Sequence, residues 1–327
     1  MNYKINPKIQ KIIRKFHHYA HTNNILKYSR TARPERIFIM KLSIENYAIR
    51  KKVGDFEDLN MIKNAGFDCV DMSYYWTEAN SPLLNDNYRE YAEELRKHMD
   101  SIGLSCNQAH APFDLKVGEA FDLSTPADLA TVRSMESAAI LGAKSIIVHS
   151  LSAAVNDIVV FDKEYNLEFY RSLLPYCEKF GIKVAVENLF QRDPKRGGYI
   201  GKLGKPEELC AFVRELNSPW FVACVDIGHA ALTGNEPEDF CAKMDGNLLQ
   251  ALHVQDGDYR RDAHTLPFLG TFKWDAIMKA LKKIGYQGEL TFEVFLYLGN
   301  IPKELLPSAL SFTYQTGKHL LALCEEA

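Results

Sequence analysis

The sequence predicts an α/β protein, a (β/α)8 barrel preceded by a basic N-terminal extension. Three observations support this class. From Met40 onward, short apolar and β-branched runs alternate with amphipathic stretches of roughly 10–20 residues. Eight such pairs fill about 290 residues, the size of a single barrel. No Gly-rich first turn accompanies the first pair, as a doubly wound nucleotide-binding sheet would require.

The strands are expected in "KLSIENY", "FDCVDMSYY", "LSCNQAH", "SIIVHS", "KVAVENLF", "WFVACVDIG", "LLQALHVQD" and "ELTFEVF". Helical segments lie between them. In "YREYAEELRKHMDSIG", for example, Tyr91, Leu95, His98, Met99 and Ile102 share one face. Gly103, Gly142, Gly181 and Gly285 fall where helices should end, and Thr125-Pro126 and Lys205-Pro206 where helices should begin. The stretch "GGYIGKLGK" has the glycines and lysine of a phosphate loop. Its spacing is wrong, and Pro206 stands where Ser or Thr belongs.

Residues 1–39 carry nine Lys/Arg and one acid, a balance of +8. The whole chain has 39 basic and 42 acidic residues, so 30 and 41 remain for residues 40–327, a balance of −11. We expect residues 1–39 to form a basic extension outside the fold and residues 40–327 to form one barrel domain. Ile5, Ile9, Ile12, Ile13 and Phe16 recur at helical spacing within the extension, but it has no long apolar run like that of a secretory signal. An acidic body disfavours nucleic acid as a partner. No apolar run reaches the roughly 18–20 residues of a membrane span. Seven scattered cysteines, never spaced C-x-x-C, suggest a reducing, cytoplasmic setting and no thiolate metal site.

The C-terminal strand ends are where a (β/α)8 barrel keeps its chemistry. Read in order, they carry His110, His149, Glu187, Asp226 with His229, His253, Asp262 with His264 in the following loop, and Glu293. Any one of these residues has an ordinary structural explanation. A single His is readily a hydrogen-bonded core residue, and a single Glu the partner of a nearby cation. Together they would place many ionisable groups around one mouth, a costly arrangement without a cation to compensate. Carboxylate with imidazole suits manganese, zinc, cobalt or magnesium.

"VAVEN", "CVDIGH", "ALHVQD" and "LTFEVF", in this order, resemble the xylose isomerase-like barrels, a group that includes sugar phosphate isomerases and epimerases, ketose 3-epimerases, inosose dehydratase and endonuclease IV. The likeness covers nearly everything from residue 40 onward. For the epimerases it implies one divalent metal held by Glu187, Asp226, His253 and Glu293, with Glu187 and Glu293 also acting as the acid/base pair. The implied activity is isomerisation or epimerisation of a sugar or sugar phosphate. It proceeds by proton abstraction beside a metal-polarised carbonyl, through an enediolate. For endonuclease IV the likeness implies a fuller set of nine ligands around three zinc ions: His110, His149, Glu187, Asp226, His229, His253, Asp262, His264 and Glu293. The alternatives are therefore a multinuclear zinc phosphodiester hydrolase and an inosose dehydratase-like lyase. Substrate contacts are expected from His229, from Arg192 in the basic loop "QRDPKRGGYIGK", and from Trp76 and Phe113 as aromatic cover for a sugar ring. The expected partner is a small sugar derivative, and a homo-oligomer is left open.

Overall fold

In the computed structural model, eight parallel strands form one sheet. They are β1 (Leu42–Glu45), β2 (Cys69–Ser73), β3 (Ser105–His110), β4 (Ser145–Val148), β5 (Lys183–Glu187), β6 (Phe221–Asp226), β7 (Leu249–His253) and β8 (Leu290–Phe292). The structure describes residues 40–75, 81–113, 117–155, 158–193 and 197–326. The expected basic extension, residues 1–39, therefore lies outside the described residues, as does Trp76. Neighbour order runs β7-β6-β5-β4-β3-β2-β1-β8. The ring closes where Val254 bridges Phe292: Val254 N–H donates to Thr291 O at 2.8 Å and Glu293 N–H to Val254 O at 3.1 Å. This closure is that of a (β/α)8 barrel and excludes an open doubly wound sheet.

One long or medium helix follows each strand: α1 (Glu57–Ala65), α2 (Tyr88–Ile102), α3 (Pro126–Leu141), α4 (Lys163–Phe180), α5 (Pro206–Glu215), α6 (Pro237–Lys243), α7 (Trp274–Lys283) and α8 (Leu306–Glu326). Prolines open α3 and α5 as expected, and left-handed glycines at 103, 142 and 181 close α2, α3 and α4. Asp162 caps α4 by accepting the Tyr165 N–H at 2.8 Å. Among the described residues no helix is long and apolar enough to cross a membrane.

The interior of the barrel is chemically divided. On one side Ile147, Ala185, Val222, Cys224 and Ala251 form a small apolar cluster of their own, separate from the large core between sheet and helices. The other side is polar. Ser43 Oγ donates to Asn107 Oδ1 (2.6 Å), Asn107 Nδ2 to Thr291 Oγ1 (3.2 Å), Thr291 Oγ1 to Gln108 Oε1 (3.3 Å) and Gln108 Nε2 to Asp71 Oδ2 (2.8 Å). The first three of these bonds join strands that are not neighbours and so span the lumen, while the last links Gln108 to Asp71 on the adjacent strand. Asn107 and Gln108 both take part because the β2–β3 register slips between Val70 and Asp71. A bulge of this kind breaks the strict alternation of side chains. Burying so many polar groups is tolerable because each is bonded to another.

Removing the α4 cap tests how strongly this helix depends on it. Asp162→Ala should cost about 1 kcal/mol of stability and lower Tm by roughly 2–4 °C, measured by thermal denaturation.

Candidate metal centre

Because the strands are parallel, their C-terminal ends share one mouth. Glu187, Asp226 and His253 are the last residues of β5, β6 and β7, and Glu293 follows β8 directly. All four are buried, and each offers a ligand atom within 4.8 Å of the others. His253 Nδ1 lies 2.7 Å from Glu187 Oε1 and 3.5 Å from Glu293 Oε2.

Local sequence explains why β6 ends on a carboxylate. Asp226 Oδ1 accepts the His229 N–H at 2.7 Å and so caps the short helix Ile227–Leu232. Its backbone is clasped on both sides by Asn188, whose Nδ2 donates to Asp226 O (2.9 Å) and whose Oδ1 accepts from Asp226 N (2.8 Å). Gln255 Nε2 donates to Asp226 Oδ2 at 2.9 Å. Gly228 is required here, since a Cβ at that position would lie 2.5 Å from Gln255 Cδ. "VDIGH" thus starts a helix and sets the Asp226 carboxylate at the mouth in one stretch.

Two further groups flank the four. His110, His149 and Glu187 form one, and His229, Asp262 and His264 the other; Glu187 and His253 also group with the buried Cys224, a thiol that the sequence reading did not place at the site. His149 Nε2 lies 2.9 Å from Glu187 Oε2 and 3.0 Å from His110 Nε2. His264 Nε2 lies 3.0 Å, and His229 Nε2 3.7 Å, from the Asp262 carboxylate. Three of these imidazoles are held alike: Nδ1 of His110, His229 and His264 donates to the carbonyls of Ala111 (2.8 Å), Asn188 (3.0 Å) and Glu293 (3.0 Å). That bond fixes the tautomer and leaves Nε2 facing inward, the usual preparation of a metal-binding histidine. Asp256 shapes the loop that carries Asp262 and His264. Its carboxylate accepts from Gly257 N, Phe268 N, Phe272 N and Trp274 Nε1 at 2.8–3.2 Å.

The residues fit a cation. Glu293 Oε2 is buried with no hydrogen-bond donor among the described residues. Burial pushes the Glu293 carboxyl up to about 8, against the pull of His253 and His264. Burial would also raise Glu187, but His253 and His149 outweigh it and hold this carboxyl well below its ordinary range. His264 shows the reverse balance: burial disfavours its charge, yet Glu293 and Asp262 raise it to about 9. His110, lowered by burial and by His149, is neutral and ready to donate its lone pair.

Two contributors, Asp71 and Gln255, were not apparent from sequence. Asp71, buried in β2, places Oδ2 3.5 Å from His253 Nε2, on the far side of that ring from Glu187. Gln255 ties Asp226 to the second loop, since its Oε1 accepts the His264 N–H at 2.7 Å. Tyr75 donates its hydroxyl to Glu293 Oε1 at 2.6 Å. Phe113 stacks on Tyr75, with centroids 4.7 Å apart at 16°, and lies 4.9 Å from His149. The segment read as a basic loop after β5 is instead partly a hairpin, Leu189–Arg192 paired with Tyr199–Lys202. Arg192 is exposed on it, while Lys195 and Arg196 lie outside the described residues.

Residues 59–315 match the family model described as Xylose isomerase-like TIM barrel. An uncharacterized protein of Methanocaldococcus jannaschii is 27% identical over 194 residues, 56% of this chain and 62% of that protein. The chain thus spans less than two thirds of that relative's length. Among solved structures, a D-tagatose 3-epimerase-like protein superposes with TM-score 0.64 at 21% identity, covering 88% of this chain and 99% of that one. The IolI protein with a bound zinc atom superposes with TM-score 0.66 at 18% identity, covering 86% and 98%. At these identities the likeness is one of fold.

Two measurements test the centre. Asp71→Asn should weaken divalent-metal binding by about 10–100-fold in a chelator competition. Metal loading near pH 7 should release protons from His264 and its neighbours, so apparent affinity should rise as pH climbs towards about 9. Calorimetry in buffers of different ionisation enthalpy would detect the release, and a pH-independent affinity would contradict it.

Proposed function

The chain belongs to the xylose isomerase-like TIM barrel family, and from that premise we propose that it is a divalent-metal-dependent isomerase or epimerase of a sugar or sugar derivative. One observation carries this reading: two buried glutamates from β5 and β8 share a single mouth group with Asp226 and His253. A divalent cation held by these four residues would polarise a substrate carbonyl and make the neighbouring C–H acidic. Of the two glutamates, one is positioned to remove that proton and the other to return one. Return to the same carbon from the opposite face gives an epimer, and return to the adjacent carbon gives an aldose–ketose isomer. The Tyr75 hydroxyl fixes the orientation of Glu293. His229, whose Nδ1 is anchored on Asn188 O, presents Nε2 for a substrate hydroxyl or a second ion. The ring pair Tyr75 and Phe113 supplies an apolar wall on the side of His110.

Proton exchange is the direct test. Metal-loaded protein incubated with a panel of ketoses and aldoses in D2O should introduce deuterium at the carbon next to the carbonyl. Glu293→Gln should slow this by at least about 100-fold. Undiminished exchange in that variant would remove Glu293 from the chemistry.

A second reading is favoured by the two flanking groups, His110/His149/Glu187 and His229/Asp262/His264. All nine residues engaged at once would hold up to three ions and suit phosphodiester hydrolysis. The acidity of residues 40–327 opposes a polyanionic substrate. Elemental analysis at metal saturation separates the two. One ion per chain supports the isomerase, whereas two or three zinc ions with cleavage of abasic DNA would replace it with the hydrolase.

A further inference from the structure

The hairpin after β5 carries a cation that the proposed chemistry does not use. Lys202 lies opposite Leu189, two residues beyond Glu187. It is half-buried, and its ammonium donates to Ser152 Oγ at 2.8 Å. Among the described residues no carboxylate lies within ion-pair distance of it. Burial alone pulls its pKa below that of an ordinary lysine. Ser152 follows His149 by three residues in the loop leaving β4, and it pairs with Val117 of the loop leaving β3. Lys202 therefore ties the loop after β5 to the loop after β4, which itself bridges to the loop after β3.

The backbone beneath Lys202 is held firmly. A Cβ on either Gly201 or Gly204 would lie 2.5 Å from the other's Cα, so neither position admits a side chain. Leu203 between them is buried at φ +55°, a conformation that non-glycine residues rarely adopt. Gly204 O accepts from Thr233 Oγ1 (3.2 Å) and Asn235 Nδ2 (2.9 Å), just beyond the helix that bears His229. A solvated surface lysine needs none of these constraints. Strain and close packing of this kind are kept where a side chain must be placed.

Lys202 thus lies on the mouth loops yet is paired with none of the acidic ligands. Among the described residues its side-chain partner is a neutral hydroxyl, which leaves its charge without an acidic partner there. A half-desolvated ammonium in that state gains most from an oxyanion. We propose that Lys202, with the Ser152 hydroxyl beside it, binds the anionic end of the substrate, a phosphate or carboxylate group, so that the substrate is an acidic sugar derivative. This rests on reading the barrel mouth as a sugar site, but its test does not depend on turnover.

Titration calorimetry with inorganic phosphate, and separately with acetate, on the metal-loaded protein reads the site directly. Wild type should bind at least one of these anions, and Lys202→Gln should weaken that binding about tenfold or more. Lys202→Arg should retain most of it. Ser152→Ala, which removes the hydroxyl but not the charge, should stay within about threefold. Preference for phosphate or for acetate would identify the anion's class. Equal binding by wild type and Lys202→Gln, or no binding of either anion by wild type, would overturn the proposal and leave Lys202 as a link between hairpin and loop. A failed deuterium exchange with intact anion binding would instead count against the isomerase reading alone.

Discussion

A buried carboxylate at Glu187 is the constraint to which the barrel mouth answers. An ionised carboxylate withdrawn from water costs several kcal/mol, and a single neutral hydrogen bond returns only about 1 kcal/mol. Ordinary polar neighbours cannot hold it. Glu187 is instead flanked by His149 at 2.9 Å and His253 at 2.7 Å. It also belongs to three of the groups able to hold an ion. The remaining candidate residues of the mouth are arranged around that shared charge, which is why one strand end cannot be understood without the others.

Support for the centre comes from beneath and from the rim. Below, the bonded column Ser43–Asn107–Thr291–Gln108–Asp71 leads up to His253, so a polar half-lumen carries the imidazole while the apolar half only fills space. At the rim, Asn188, Gln255 and Asp256 each bond two or more partners in neighbouring segments. Rigid support of this kind holds the side chains of the mouth in place.

The same mouth divides its charges by position. Carboxylates and imidazoles concentrate at the ends of β5 to β8, aromatic rings gather beside β2 and β3, and Lys202 stands where the loops after β3, β4 and β5 converge. A ligand with a carbonyl-bearing centre, an apolar ring face and an anionic end would match these three regions in turn. Specificity on such a frame belongs to the loops, since the strands serve many chemistries.

The sequence by itself determined the eight-fold alternation, the helix boundaries at Thr125-Pro126 and Lys205-Pro206, and the residues at the strand ends. Parallel strands with a period of two leave little freedom there: whatever polar residue ends a strand must sit at the common mouth. What only the tertiary structure decided depends on contacts between distant segments. The register slip at Asn107 turns two consecutive side chains into the lumen, and nothing local in "LSCNQAH" specifies that. Asp71 looks like any mid-strand acid until β7 brings His253 within 3.5 Å of it. "GGYIGKLGK", unpromising as a phosphate loop, gains meaning once Gly201 and Gly204 are seen pressed together beneath Lys202. Which residues could be ligands is written along the chain, whereas which of them meet, and at what distance, is set by barrel closure and the packing of its loops.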